Sequence, residues 1–416
     1  MALIVNPNDK FIKYKYKITE FYIIINGVSN EFPIEKVESF IIENFYEDAT
    51  FPIFKVNAMM EASRYYDIIK NKDNVKFKIR IQGFHTDMDN ENRSLARDVI
   101  NDLFVVFIDD DNYDYEIDRK KQAGTDKDKD KLEKGENRIE LFLFQDKIVN
   151  NLRSLFNGVF NNTNLSTIVA YLLQKAGAKN VLMSPFDNDK VYDSVVLPPM
   201  NIEKQLWYLS NNYGFHKSGT LIFFGLEYGY IISCDGECTA YEDEDNKETI
   251  LYILDSNNPN AMVSGPIMKY NDTKSYINIS SKNINITTES VSSNVITGIN
   301  ADVVNVQTGS MDEVSIDAAT VGDVNKGVIY NNTSNPYMAD VYESIKQSNS
   351  VNINIGVQDE NILSLTPNRK FSLIFESPTL NAKYKGKYRI ASCIHTFSGG
   401  KDDFDINSVI TIKKVL

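Results

Sequence analysis

Strand-like alternation at both ends of the chain, around a middle that carries two helical stripes, predicts a mainly β protein with an α/β insert, an α+β fold. From Phe11 to Ile18, Tyr14, Tyr16 and Ile18 alternate with Lys13, Lys15 and Lys17, the period-two pattern of a half-buried strand. In the middle, Leu165, Ile168, Val169, Leu172 and Leu173 follow helical spacing between a capping Asn164 and a closing Gly177. A charged break separates the two regimes at residues 118–137. Its Asp126-Lys-Asp-Lys-Asp-Lys131 run has no apolar anchor before Leu132, which predicts a solvated, mobile loop.

The first segment, 1–145, reads as strands around one helix. Phe21–Ile25 leads into Asn26-Gly27, a strong hairpin signal. Strands are expected at Val37–Ile42 and Phe51–Val56, then a helix over Ala58–Lys70 ended by Asn71–Asn74. Val75–Gln82 alternates again, Leu103–Ile108 reads as a more fully buried strand, and Arg138–Phe144 resumes the pattern. One helix among six or so strands predicts a sheet closed into a barrel.

The second segment, 146–240, adds a helix capped by Asn201, with Ile202, Leu206 and Leu209 on one stripe and a stop at Gly214. Phe215–Lys217, a Ser218-Gly219 turn and Thr220–Phe224 read as a hairpin. Residues 241–345 form a polar, β-rich accessory segment. Within it Tyr276–Val304 alternates with modest burial expected, and a short helix is expected over Met338–Gln347. The last segment, 346–416, is strand again, clearest at Lys370–Phe375, Tyr388–Phe397 and Phe404–Val415, with turns at Pro367-Asn368, Lys385-Gly386 and Ser398-Gly399-Gly400.

Composition narrows the function. The 416 residues suffice for about three domains, and 42% hydrophobic residues can build ordinary cores. Acidic residues outnumber basic ones 57 to 44, a formal charge of -13, the wrong sign for gripping phosphates. No apolar run approaches the ~18 residues of a membrane-spanning helix, so stable membrane insertion is not expected. The N-terminus lacks the basic start and apolar core of a secretory signal. The cysteines, three in all, fit folding in a reducing cytosol.

Catalytic chemistry finds little support. His85, His216 and His395 are the only histidines, and none has a partner at metal-ligand spacing. No nucleophile elbow, phosphate loop or dinucleotide glycine motif is present. Cys234-Asp-Gly-Glu-Cys238 reads either as half of a zinc site, completed by His216 or by Cys393 and His395, or as a hairpin turn at Asp235-Gly236 between reduced thiols; the turn is the expectation. The acidic clusters Asp109–Asp114 and Glu242–Asp245 match no calcium loop and read as solvated. Trp207 lies in an amphipathic pattern, which gives it a core or interface role in place of a sugar platform. No catalytic residue, cofactor or metal site is therefore assigned.

Two stretches carry a family resemblance. In the first, Gln174-Lys-Ala-Gly177 ends a helix and Leu197-Pro-Pro-Met200 leads into Leu206-Trp-Tyr-Leu-Ser210. That stretch closes on Asn212-Tyr-Gly-Phe-His-Lys-Ser-Gly-Thr-Leu-Ile-Phe-Phe224. The second is Gly386-Lys-Tyr-Arg-Ile-Ala-Ser-Cys-Ile-His-Thr-Phe397 followed by Phe404–Lys414. Together they resemble the phage tail and baseplate hub proteins, the late-control D group and the hub region of type VI secretion spikes.

The resemblance implies two tube-type β-barrels per chain, the second completed by 346–416, and a homotrimeric ring. Such a ring presents six similar faces to a sixfold tail tube above and holds a threefold spike and other baseplate proteins below. DNA or cargo would pass without specific binding, in a virion tail assembled in the host cytoplasm. The lysine faces at 13–17 and 76–80 would line the lumen or pair with a neighbour's carboxylates. The exposed alternating strands and the Met59–Ile69 helix are the candidate interfaces. A tail-tip peptidoglycan hydrolase and a surface carbohydrate-binding β protein are the alternatives.

Overall fold

The computed structural model describes residues 10–46, 50–87, 97–107, 136–226, 228–234, 248–255, 268–270, 274–288, 299–305, 311–315, 325–331, 351–358, 362, 365, 371–399 and 403–414. The chain opens with β1 (Lys10–Ile25), β2 (Val28–Glu31), β3 (Val37–Phe45), β4 (Ile53–Glu61), α1 (Ala62–Lys70), β5 (Val75–Asp87), β6 (Arg97–Phe107) and β7 (Glu136–Gln145). There follow α2 (Asp146–Arg153), β8 (Leu155–Asn164), α3 (Leu165–Ala176), β9 (Asn180–Met183), β10 (Val191–Asn201), α4 (Ile202–Tyr213), β11 (Thr220–Phe224) and β12 (Tyr228–Ser233). The remainder is β13 (Glu248–Leu254), β14 (Met268–Tyr270), β15 (Lys274–Ser280), β16 (Ile284–Thr288), β17 (Ile299–Asn305), β18 (Met311–Ser315) and β19 (Asn325–Asn331). It ends with β20 (Val351–Gln358), β21 (Phe371–Phe375), α5 (Pro378–Tyr384), β22 (Gly386–Gly399) and β23 (Phe404–Lys414).

Strand pairing closes a ring. In order around it, β22, β3, β4, β7, β6, β5, β1 and β23 each pair with the next, and β23 returns to β22. Closure leaves these strands few open edges. The alternation read in β1 and β5 is the reason the ring has an inside. Tyr16, Ile18, Phe77, Ile79 and Ile81 point inward with Phe40, Phe54 and Phe104, while Lys17 and Lys76 are exposed. At the β1–β2 turn, Asn26 and Gly27 both adopt positive φ, 50° and 83°, the backbone that a tight primed hairpin turn demands.

A second circuit uses the same C-terminal hairpin. It runs β22, β21, β13, β15, β14, β1, β23, with β20 and then β16 continuing outward from β23. Its core gathers Leu251, Ile253, Ile277, Ile353, Ile355, Leu373, Ile410 and Ile412. Separately, β17 pairs with β18 and β19 in a small sheet of its own.

The third core belongs to the α/β unit, where α2, α3 and α4 pack together against the β8–β10 ribbon and one face of the β11–β12–β9 sheet. The run Leu221–Phe224 explains how this unit is held. Leu221 and Phe223 enter the second barrel's core, whereas Ile222 and Phe224 enter the helical core. A strand buried on both faces needs consecutive apolar residues, so the unbroken run is structural.

Several sequence expectations are corrected. The helix expected over Ala58–Lys70 begins only at Ala62, because Ala58–Glu61 pairs with β7 and buries Ala58 and Met60; ladder and packing override helix propensity. The strand placed at Phe51–Val56 is accordingly Ile53–Glu61. Leu103–Ile108 is not a fully buried strand. Only Phe104 of β6 is buried in that stretch, and Leu103 and Phe107 point outward. Phe215–Lys217 forms no strand; Phe215 stacks on Phe186 at 4.6 Å, and the hairpin is β11 with β12. The modest burial expected over Tyr276–Val304 fails at Ile277 and Ile279, which are core residues. Residues 248–254 and 274–280, within the 241–345 segment read as accessory, pair side by side in the large sheet. The helix expected at Met338–Gln347, the acidic clusters Asp109–Asp114 and Glu242–Asp245, Cys238, and all of the 118–137 break before Glu136 lie outside the described residues.

Candidate assembly surfaces

The three histidines are dispersed. His216 is buried in the α/β unit, with Nδ1 3.1 Å from Thr220 Oγ1 and Nε2 3.4 Å from the Ser184 carbonyl oxygen. His85 stands on β5 opposite Tyr14. His395 lies on β22 with its Nδ1 2.7 Å from Ser408 Oγ and 3.7 Å from Cys393 Sγ. Cys234 packs against the core that contains Cys393. Among the described residues no group of three or more His, Cys, Asp or Glu could hold a metal ion. None of their helices is long and apolar enough to cross a membrane.

The position of His395 is informative. Along β22 the inward side chains pass from Tyr388, Ile390 and Cys393 in the second core to Phe397 in the first. Along β23 they pass from Phe404 and Ile406 in the first core to Ile410 and Ile412 in the second. His395 and Ser408 are cross-strand partners, both buried, at the changeover between the two cores. On β3, Asn44 occupies the corresponding place between Ile42 of the first core and Tyr46 of the second. Polar groups thus mark the waist where one hairpin passes from one barrel to the other.

Part of each lysine face pairs within the chain. Lys15 bonds Asp405, Lys76 reaches Asp146 at 2.6 Å, and Arg80 reaches Asp98 at 2.9 Å and Glu20 at 3.1 Å. The Arg80 hydrogen bond, helped by one from Gln82, holds the Asp98 carboxyl below the usual carboxylate range. The α/β unit is tied to the first barrel through Asp102 on β6, which accepts from Gln145 Nε2 at 3.0 Å and Lys179 Nζ at 3.3 Å.

Sequence reasoning missed the ribbon and the residue that fixes it. Gln205, fully buried on α4, points Nε2 at the carbonyl oxygens of Phe156, Pro198 and Met200, at 2.5, 3.1 and 3.4 Å. The β8–β10 register shifts between Leu197 and Met200, where Pro198 and Pro199 supply no N–H, and Gln205 gathers the carbonyls left by that irregularity. Its signal was a polar residue beside the apolar stripe of Ile202, Leu206 and Leu209. Trp207 is half-buried against the helical core. The proposed Met59–Ile69 interface helix divides, with Met59–Glu61 in β4 and Ile68 buried.

Two barrel cores crossed by one hairpin, with an α/β unit packed on the second, define a mainly β α+β protein. The sequence pattern of the family described as the bacteriophage PBS1 gene 109 protein matches residues 9–415, and the chain belongs to that family. Among solved structures, it is similar to the tail protein from Neisseria meningitidis MC58 (TM-score 0.48, 9% identity, 97% of each chain covered). It is also similar to the prophage MuSo2 43 kDa tail protein from Shewanella oneidensis (TM-score 0.46, 12% identity, 95% of this chain and 96% of that one). A third similar structure is the half-lidded Francisella PdpA-VgrG complex (TM-score 0.46, 9% identity, 99% of this chain and 59% of that one). No curated protein matches the sequence.

Proposed function

We propose that the chain is a structural hub subunit of a phage or phage-like tail baseplate, with no catalytic role. The observation that carries this reading is the C-terminal hairpin, which serves both barrel cores and makes each chain a fixed pair of barrels. Three such pairs give six similar faces toward a sixfold tail tube, while the three chains remain matched to a threefold spike. The division of labour follows the chain: the first barrel from 1–145, the α/β unit from 146–240, a polar segment over 241–345 beyond its core strands, and closing strands from 346–416.

The charge pattern supports a passage for DNA or cargo. A formal charge of -13 disfavours phosphate binding, and Lys15, Lys76 and Arg80 of the cationic strand faces pair with carboxylates of the same chain. The seat of action is the virion tail, reached by assembly in the host cytoplasm. Light scattering after gel filtration tests the reading: a trimer of three 47.3 kDa chains has a mass of about 142 kDa. A monomer that stays monomeric when mixed with its spike contradicts it.

A further inference from the structure

A closed ring of three copies cannot be built from one self-complementary patch; each copy must present two different patches that fit each other. The chain carries two outward apolar faces, far apart in sequence and on different units. One is the outer face of the β8–β10 ribbon. Val159 and Val196 stand opposite each other across the ribbon, 60% and 56% exposed, with Leu155 at its end 79% exposed. The ribbon's other face is occupied, since Phe156 and Phe160 lie against Tyr171 of α3.

The second is the outward face of the first barrel. Val105 stands opposite Phe144 across β6–β7, Ile53 beside Glu43 across β4–β3, and Ile394 opposite Val409 across β22–β23. These residues form one row over six neighbouring strands, about 24 Å at ~4.8 Å per strand; Phe51 of the same chain packs edge-on against Phe144 at 5.6 Å, so the free part of the band lies to either side of that ring. Phe107 and Phe142 continue it on the next row, and Phe107 and Val409 are 59% and 45% exposed. The charged groups in this band cancel, because Lys55 meets Glu43 at 2.6 Å while lying over the Phe142 ring. Copies of a chain with charge -13 repel one another, so a self-contact favours such a neutral, apolar face.

Resting on the trimeric reading above, we propose that copies join head to tail, the ribbon face of one seated on the first-barrel face of the next. Complementation tests it, using one lysine at an exposed position on each face, Val196→Lys and Val409→Lys. Each variant alone is expected to lose the trimer and run as a 47.3 kDa monomer. Mixed, they retain one intact ribbon and one intact barrel face between them, and are expected to form a one-to-one pair of about 95 kDa, twice 47.3 kDa. Recovery of the pair also demonstrates that both variants are folded. If Val196→Lys alone loses its circular dichroism, Val159→Lys on the same face replaces it. Variants that stay trimeric, or folded monomers that fail to pair, overturn the head-to-tail assignment and leave the hub reading standing. An unaltered chain that is itself monomeric, even with its spike, fails the hub reading instead.

Discussion

The two barrels share β22, β23 and β1 yet are encoded in opposite ways. The first takes the rest of its ring, β3–β7, from one stretch, residues 37–145. The second sets β13, ending at Leu254, directly beside β21, which begins more than a hundred residues later at Phe371, and reaches β1 through β15 and β14. A barrel of sequence neighbours can form its core from local hairpins, whereas one of distant strands pays large loop-closure entropy before its contacts form. The hairpin that the first barrel also needs provides the second with a template. The difference teaches that the second barrel depends on the first.

The largest effects are expected where that dependence is broken. Phe397→Ala removes a first-core ring that meets Tyr16 edge-on at 5.1 Å. It should cost about 3–5 kcal/mol, and Ile410→Ala in the second core about 2–5 kcal/mol. Chemical denaturation followed by two probes, one in each barrel, should show both variants shifting a single shared transition. Two separated transitions would show that the barrels fold independently.

The waist comes next. Ser408→Ala leaves the buried His395 ring without that partner and should lower stability by about 1–3 kcal/mol. Adding His395→Leu should restore part of the loss, because the double change removes both ends of that hydrogen bond; additivity in a double-mutant cycle would refute the coupling. Gln205→Leu should cost a similar ~1–3 kcal/mol by freeing the carbonyls of Phe156, Pro198 and Met200. Its effect should appear as faster hydrogen exchange in the ribbon, with both barrels unchanged.

Two pH limbs sharpen the comparison further. Burial, with a smaller contribution from Tyr384, pushes the second-core phenol of Tyr388 up to about 12. A proton held more tightly by the folded state means stability present below the unfolded value of ~10 and lost as pH rises from there toward the folded value. Tyr388→Phe should flatten this alkaline limb. On the first barrel Asp98 runs the other way. Its depressed carboxyl contributes stability above the unfolded value of ~3.9 that is lost as pH falls through its lower folded value. Asp98→Asn should weaken acid sensitivity, and as a solvent-screened surface group it should give the smallest effect of the set.

Legibility in the sequence followed the same division. The Tyr14–Ile18 and Val75–Gln82 alternations, the Asn26-Gly27 turn and the α3 and α4 stripes were readable because neighbours in sequence decide them. β13 was not, since a strand buried beside β15 and β21 carries no alternation and sits in a polar context. The Ala58–Glu61 stretch misled because its helix formers are overruled by pairing with β7. Of the candidate surfaces, the lysine faces were visible but their carboxylate partners were not. Glu20 lies within the same strand as Lys15, whereas Asp98, Asp146 and Asp405 come together only in the fold. The ribbon face and Gln205 escaped because a bulged pair of strands around two prolines shows no clean period.

In the proposed assembly each chain contributes a fixed pair of barrels, and three chains make six. Class averages of the purified assembly by electron microscopy test it most directly. The account predicts a ring of threefold symmetry whose rim repeats as six similar lobes around a channel. A ring with three lobes, or particles in which the two barrels of one chain take variable relative positions, would contradict it.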